Sequence, residues 1–126
     1  MSSFNPATLK YDANGLIPAV IQDCENNAVL MVGYMNEAAV RKTLTGPYVT
    51  FYSRSRQKMW LKGETSGHTQ TVREIYFDCD ADCLLIKVVQ HVAACHVGYR
   101  TCFYRRVETD GRVTTVGEKV FEEGGQ

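Results

Sequence analysis

Along most of this chain the apolar residues come in short β-branched or aromatic runs separated by turn-forming residues, a strand pattern rather than a helical one. Residues 16–23 (LIPAVIQD) are the first run. After Glu25-Asn26-Asn27, the run AVLMVGYM at 28–35 predicts its antiparallel partner in a hairpin. The period changes once. The Asn36 side chain can accept from the free N–H groups of a first helical turn, and EAAVRKTLT then carries Ala39, Val40, Thr43 and Leu44 at helical spacing until Gly46-Pro47 ends it. This helix reads as packing. Strands resume at 48–53 (YVTFYS), 70–77 (QTVREIYF), 84–92 (LLIKVVQHV) and 102–107 (CFYRRV), the last joined through Asp110-Gly111 to RVTTVGEKVF as a terminal hairpin. Residues 1–14, with Pro6 and a turn signal at Asp12, Asn14 and Gly15, predict a loosely held arm or short helix with little function; residues 122–126 predict a frayed tail. The expected fold is α+β, mainly antiparallel sheet with one or two short helices, in a single domain over residues 1–126.

Fourteen basic residues balance fourteen acidic ones, so bulk charge supplies no footprint for nucleic acid or an anionic membrane. No run approaches the ~18 apolar residues of a membrane span, and the first residues lack the apolar core of a signal peptide. A cytoplasmic protein with neither membrane nor nucleic acid as partner is expected. In that reducing compartment five cysteines favour metal binding or catalysis over disulfides. Cys24 reads as a small core residue.

Charge concentrates locally in Arg54, Ser55, Arg56, Gln57 and Lys58, and the sequel Trp60-Leu61-Lys62-Gly63-Glu64-Thr65-Ser66-Gly67-His68 is too polar for a core. A basic run is commonly only a solvated surface. Glycine N–H groups, hydroxyls and nearby Arg or Lys are also the parts of a phosphate cradle, although the spacing is not that of a Walker loop.

Residues 78–102 hold four of the five cysteines and two of the three histidines. Cys79, Cys95 and Cys102 are one thiolate short of a closed tetrahedral zinc site, and catalytic zinc keeps a position for water. The alternative is a closed site that includes Cys83, which an extended strand would put ~13 Å from Cys79. His96, beside Cys95, is a candidate ligand or acid/base group; His91, inside an apolar strand, reads as structural. Asp78, Asp80 and Asp82 are hard oxygen donors suited to magnesium or calcium, so two different ions are implied. An EF-hand fails, because Cys83 and Val89 stand where that loop needs Gly and Glu. On a straight strand Asp78 and Asp82 would lie too far apart to share an ion, so either the chain curls or one carboxylate acts through water.

The segments GLIPAVIQD, VLMVGYMN, FYSRSRQKMWLKGETSGH, DCDADCLLIKVVQ and ACHVGYRTCFYR together resemble the phosphoribosyl-AMP cyclohydrolase family of histidine biosynthesis, in order over residues 16–105. The resemblance implies hydrolytic opening of the N1–C6 bond of the adenine ring in phosphoribosyl-AMP, giving the formimino aminoimidazole carboxamide ribonucleotide. It also implies a cytoplasmic homodimer that uses zinc and magnesium. Cys79, Cys95 and Cys102 match the family's zinc ligands, with Cys79 from one subunit and the other two from its partner; Asp78, Asp80 and Asp82 match its magnesium ligands. His96 and Glu64 are the expected proton-transfer groups, while Arg54, Arg56, Lys62, Gly63, Thr65 and Ser66 are expected to hold phosphate and ribose. Cys83, Val92-Ala93 and Thr101 depart from the family's common small apolar residue, Gly-Pro and Ser. The pyrophosphohydrolase domain fused to some relatives is not expected. Two other functions bear on the same residues. A zinc nucleobase deaminase would carry H-x-E or C-x-E with P-C-x-x-C, which this chain lacks. A noncatalytic zinc module for protein or nucleic acid would need a closed site and a basic face.

Overall fold

A computed structural model describes residues 3–122. Alternation builds its main sheet. Ile17, Ala19, Ile21 and Asp23 are the buried residues of β1 (Ile17–Asp23), and Leu84, Ile86, Val88 and Gln90 those of β6 (Leu84–Gln90), so each strand turns every second side chain inward. β1 is paired antiparallel with β2 (Val29–Met35) through the expected hairpin, and β6 antiparallel with β5 (Gln70–Phe77), giving the order β2-β1-β6-β5. β1 and β6 run parallel, with Ala19 opposite Leu84 and Asp23 opposite Val88. The sheet is therefore mixed. The long crossover after β2 delivers β5 to the far edge, and the tight turn after it returns β6 between β5 and β1, in the direction of β1.

The helix α1 (Glu37–Thr45) starts where expected, with Asn36 Oδ1 accepting from Ala39 N at 2.8 Å, a cap that contributes about 1 kcal/mol. Ala39, Val40 and Thr43 face inward; Leu44 does not. The Thr43 hydroxyl is bound to both Thr50 N (3.0 Å) and Thr50 O (3.2 Å), which orients the helix on β3 (Thr50–Ser53) and rotates Leu44 into solvent. Phe51 of β3 is fully buried at the centre of the core with Ile17, Ile21, Leu30, Met35 and Leu84.

Four expectations change. Lys58–Leu61 is a strand, β4, not part of a polar loop: residues 54–57 form the turn of a β3–β4 hairpin, and Trp60 of β4 packs on Phe51 with ring centres 5.2 Å apart. β6 stops at Gln90, because His91 N–H bonds to Thr69 O at 3.0 Å and Val92 adopts φ +61°, a left-handed conformation foreign to strands and strained for a β-branched side chain. The strand expected at 102–107 shrinks to β7 (Arg105–Val107), paired with β8 (Val113–Thr115) across the Asp110-Gly111 turn, because Cys102 N–H is already bound to Leu30 O at 2.7 Å. The N-terminal arm is tied down. Pro6–Thr8 is a 3-10 turn, Leu9 is buried, Phe4 stacks on Phe77, and Lys10 N–H bonds to Ala81 O at 2.8 Å. Of the expected tail, only Glu122 lies within the described residues. Among those residues no helix is long and apolar enough to cross a membrane.

Candidate active site

Two clusters of donor atoms flank β6. The first is the turn from β5 into β6. Asp78 Oδ1 accepts from Asp82 N (3.0 Å) and Cys83 N (3.2 Å), Asp78 O accepts from Ala81 N (3.0 Å), and Ala81 takes φ +62° to complete the curl. The curl brings carboxylate oxygens of Asp78, Asp80 and Asp82 within 4.8 Å of one another. A hydrogen bond with Asp82 holds Asp80 below the usual carboxylate range and the same bond raises Asp82, as expected of like charges held close together. Three convergent oxygens fit a hard divalent cation. Cys83 stays outside the group, its Sγ directed at Leu84 O (3.7 Å), and burial together with the three carboxylates raises its thiol pKa.

The second cluster is the loop after β6. Ala93, Ala94 and Cys95 are buried, and the loop closes through Ala94 N to Arg100 O (2.9 Å), Cys95 N to Tyr99 O (3.3 Å) and Gly98 N to Cys95 O (3.3 Å). The Arg100 guanidinium grips Asp23 Oδ2 at 3.0 and 3.2 Å and gives a third bond to Val92 O at 3.2 Å, which fastens the loop to the buried end of β1. Cys95 and Cys102 are near enough for each to bear on the other's charge. Burial, then the neighbouring Cys95, push the Cys102 thiol up to about 11, against the pull of Lys62. A soft cation would have to displace that proton, and two adjacent thiols suit one. Cys79 is exposed on the carboxylate turn, and no group of convergent donors among the described residues joins it to Cys95 and Cys102. One chain thus offers two of the three expected zinc ligands together.

Three clefts of about 560 to 590 Å³ open around the β3–β4 hairpin and the thiol loop. In the first, the Arg54 guanidinium lies 4.0 Å over the Tyr34 ring beside Ser53 and Ser55. The second is lined by Arg56, Lys58, Glu64 and His96, and the third by His68, Cys95, His96 and Phe121. Ser53 and Trp60 border both the first and second clefts; Lys62, Thr65, Ser66 and His96 border both the second and third. The clefts are contiguous.

The expected substrate residues meet different fates in this geometry. Arg54, Arg56, Thr65 and Ser66 line the clefts, Ser66 also accepting from His68 N at 3.2 Å. Gly63 has φ +83°, and a Cβ there would collide with the His68 carbonyl, so this glycine closes the loop. The backbone cradle is partly used up internally, since Glu64 N is bound to Leu61 O (3.0 Å) and Gly67 N to Gly63 O (2.8 Å). Lys62 Nζ donates to Ala94 O at 2.6 Å. His91 sits exposed beyond β6 with Nε2 3.0 Å from Thr71 Oγ1, not inside the strand. Trp60, Tyr34, His68 and Phe121 escape a reading by sequence. Trp60, the single tryptophan in a polar stretch, carried a signal; Phe121 carried none.

Such an arrangement, an α+β domain with cation-lined clefts running to the buried Cys95 beside a half-buried Cys102 and a separate carboxylate turn, is that of a small-molecule enzyme. The family model for phosphoribosyl-AMP cyclohydrolase matches residues 31–104. Proteins named phosphoribosyl-AMP cyclohydrolase resemble the chain nearly end to end: that of Pelotomaculum thermopropionicum is 55% identical over 94% of this chain and 92% of its own length. The Methanosarcina mazei protein is 56% identical over 90% and 91%, and that of Methanococcoides burtonii 51% over 91% and 92%. The chain belongs to the phosphoribosyl-AMP cyclohydrolase family.

Proposed function

We propose that this protein opens the adenine ring of phosphoribosyl-AMP at its N1–C6 bond by addition of water, as a step of histidine biosynthesis in the cytoplasm. The observation that carries the reading, within a family of this name, is the position of His96. It lines both the cleft holding Arg56, Lys58 and Glu64 and the cleft that reaches Cys95, which supports a reading in which cations for phosphate, groups for proton transfer and the Cys95 thiol serve one substrate. Arg54 and Arg56 hold phosphate, with the hydroxyls of Thr65 and Ser66 on ribose. Trp60 forms the wall between the first two clefts. His96 or Glu64 hands a proton to ring N1 as it leaves.

Cys95 and Cys102 of one subunit, with Cys79 of a second copy, would hold zinc, which supplies an activated water at neutral pH. Asp78, Asp80 and Asp82 would hold magnesium, which neutralises the carboxylates and helps to orient substrate. A homodimer follows from this assignment, since Cys79 is displaced from the other two thiols in its own chain. Purified protein with phosphoribosyl-AMP, followed by absorbance and metal analysis, tests the reading. Ring opening with one zinc per chain supports it; one zinc per chain without ring opening supports a noncatalytic zinc module. Full turnover and normal zinc in Cys95→Ser would remove the thiol site from the mechanism.

A further inference from the structure

Lys62 leaves the end of β4 and crosses to the thiol loop. Its ammonium is half-buried and donates to Ala94 O at 2.6 Å, across 32 residues of sequence, one residue before Cys95. That bond meets the need of a carbonyl whose residue is 2% exposed. Burial lowers the pKa of this ammonium, and charge on Cys102 and Cys95 opposes that shift. Arg100, another cation of this loop, is engaged with Asp23 and Val92 O. Three thiolates around a divalent ion carry one net negative charge, and in a half-buried site such a charge is costly without a nearby cation.

We infer that Lys62 is a positioning residue for the thiol pair: it anchors the loop bearing Cys95 through Ala94 O and supplies the positive charge that offsets the metal-loaded thiolates. This rests on the zinc assignment proposed above. It removes Lys62 from the phosphate-binding set and places its influence on metal affinity. A neutral side chain here would lose both the anchor and the charge, whereas arginine would keep the charge and a donor.

The test uses the full chain, purified reduced and metal-free, as wild type, Lys62→Met, Lys62→Gln, Lys62→Arg and Cys95→Ser. Cobalt titration read by thiolate-to-metal charge-transfer absorption, and zinc competition against a chromophoric chelator, report affinity without activity. Lys62→Met and Lys62→Gln are expected to bind roughly 10- to 100-fold more weakly, the usual loss when a group supporting a metal ligand is removed, with Lys62→Arg recovering most of the affinity. Melting of the metal-free proteins should fall modestly for Lys62→Gln and Lys62→Met, which lose the bond to Ala94 O, and recover in Lys62→Arg; affinities are compared well below the lowest melting temperature, which separates the effect from unfolding. Zinc affinity for Lys62→Gln and Lys62→Met equal to wild type, while Cys95→Ser still loses binding, would overturn the inference and leave the zinc assignment standing. Cobalt binding by Cys95→Ser equal to wild type would overturn both.

Discussion

The carboxylate turn and the thiol loop lie at opposite ends of β6 and are built in opposite ways. The turn is shaped locally: Asp78 organises it through bonds to residues no more than five positions away, the arm adds Lys10 N–H to Ala81 O, and the three carboxylates stay exposed. The thiol loop is held from a distance. Lys62 reaches Ala94 across 32 residues, Arg100 reaches Asp23 across 77, and Cys102 N–H is bound to Leu30 O. Hard oxygen donors tolerate water, so an exposed turn suffices for them. Thiols brought together where burial raises their pKa need a neighbouring positive charge, which packing supplies. A local site should therefore change without disturbing the fold, whereas the distant one should respond to substitutions far from its cysteines.

The sharpest break between the two is Cys95→Ser, expected to abolish zinc binding and ring opening while leaving magnesium binding at the turn intact, as read by metal analysis and turnover. Next is Asp23→Asn, which touches neither thiol. It weakens the grip on Arg100 and is expected to cost about 2–3 kcal/mol in chemical denaturation, below the usual 3–5 for a buried pair because Arg100 is one-third exposed. Zinc affinity should fall with it; unchanged affinity would show that the Arg100 clamp does not position the loop. Within the turn, Asp78→Ala removes the acceptor of two backbone N–H groups and should cost about 1 kcal/mol, comparable to loss of a helix cap, with magnesium binding lost as well. Val92→Gly should go the other way and stabilise the protein by about 0.5–1 kcal/mol in thermal unfolding, since glycine accepts the positive φ at little cost. Asp80→Asn is the smallest in stability: an unchanged melting curve with weaker magnesium binding is expected, and a cooperative destabilisation would show the turn to be less local than its hydrogen bonds indicate.

The Val92 and Leu44 positions mark where reading by pattern gives out. Period two in LLIKVVQHV runs on through Val92, and nothing in the order of residues announces that His91 will bond to Thr69 O and end the ladder at Gln90. Leu44 fits the helical stripe as well as Thr43, yet the Thr43 hydroxyl takes the inward place because Thr50 offers it both a donor and an acceptor. Lys62 reads naturally as a phosphate ligand in a basic stretch; nothing near it in sequence announces that its ammonium donates to Ala94 O, 32 residues later. By contrast, Asn36 as a cap and Asp110-Gly111 as a hairpin turn were legible because each acts on residues two to four positions away.

The sequence by itself determined the helix and most of the strands of this protein, though not β4 or the end of β6, the family to which it belongs, and the carboxylate group whose curl Asp78 imposes on its immediate neighbours. Tertiary structure alone decided that β6 lies parallel to β1, that Cys95 meets Cys102 while Cys79 stands apart, and that Lys62 is directed at the thiol loop. The physical reason is range. A hydrogen bond or steric preference within a turn of chain is encoded where it acts, but burial and charge placement depend on which distant segments pack together, and that is settled only once the core around Phe51 has formed.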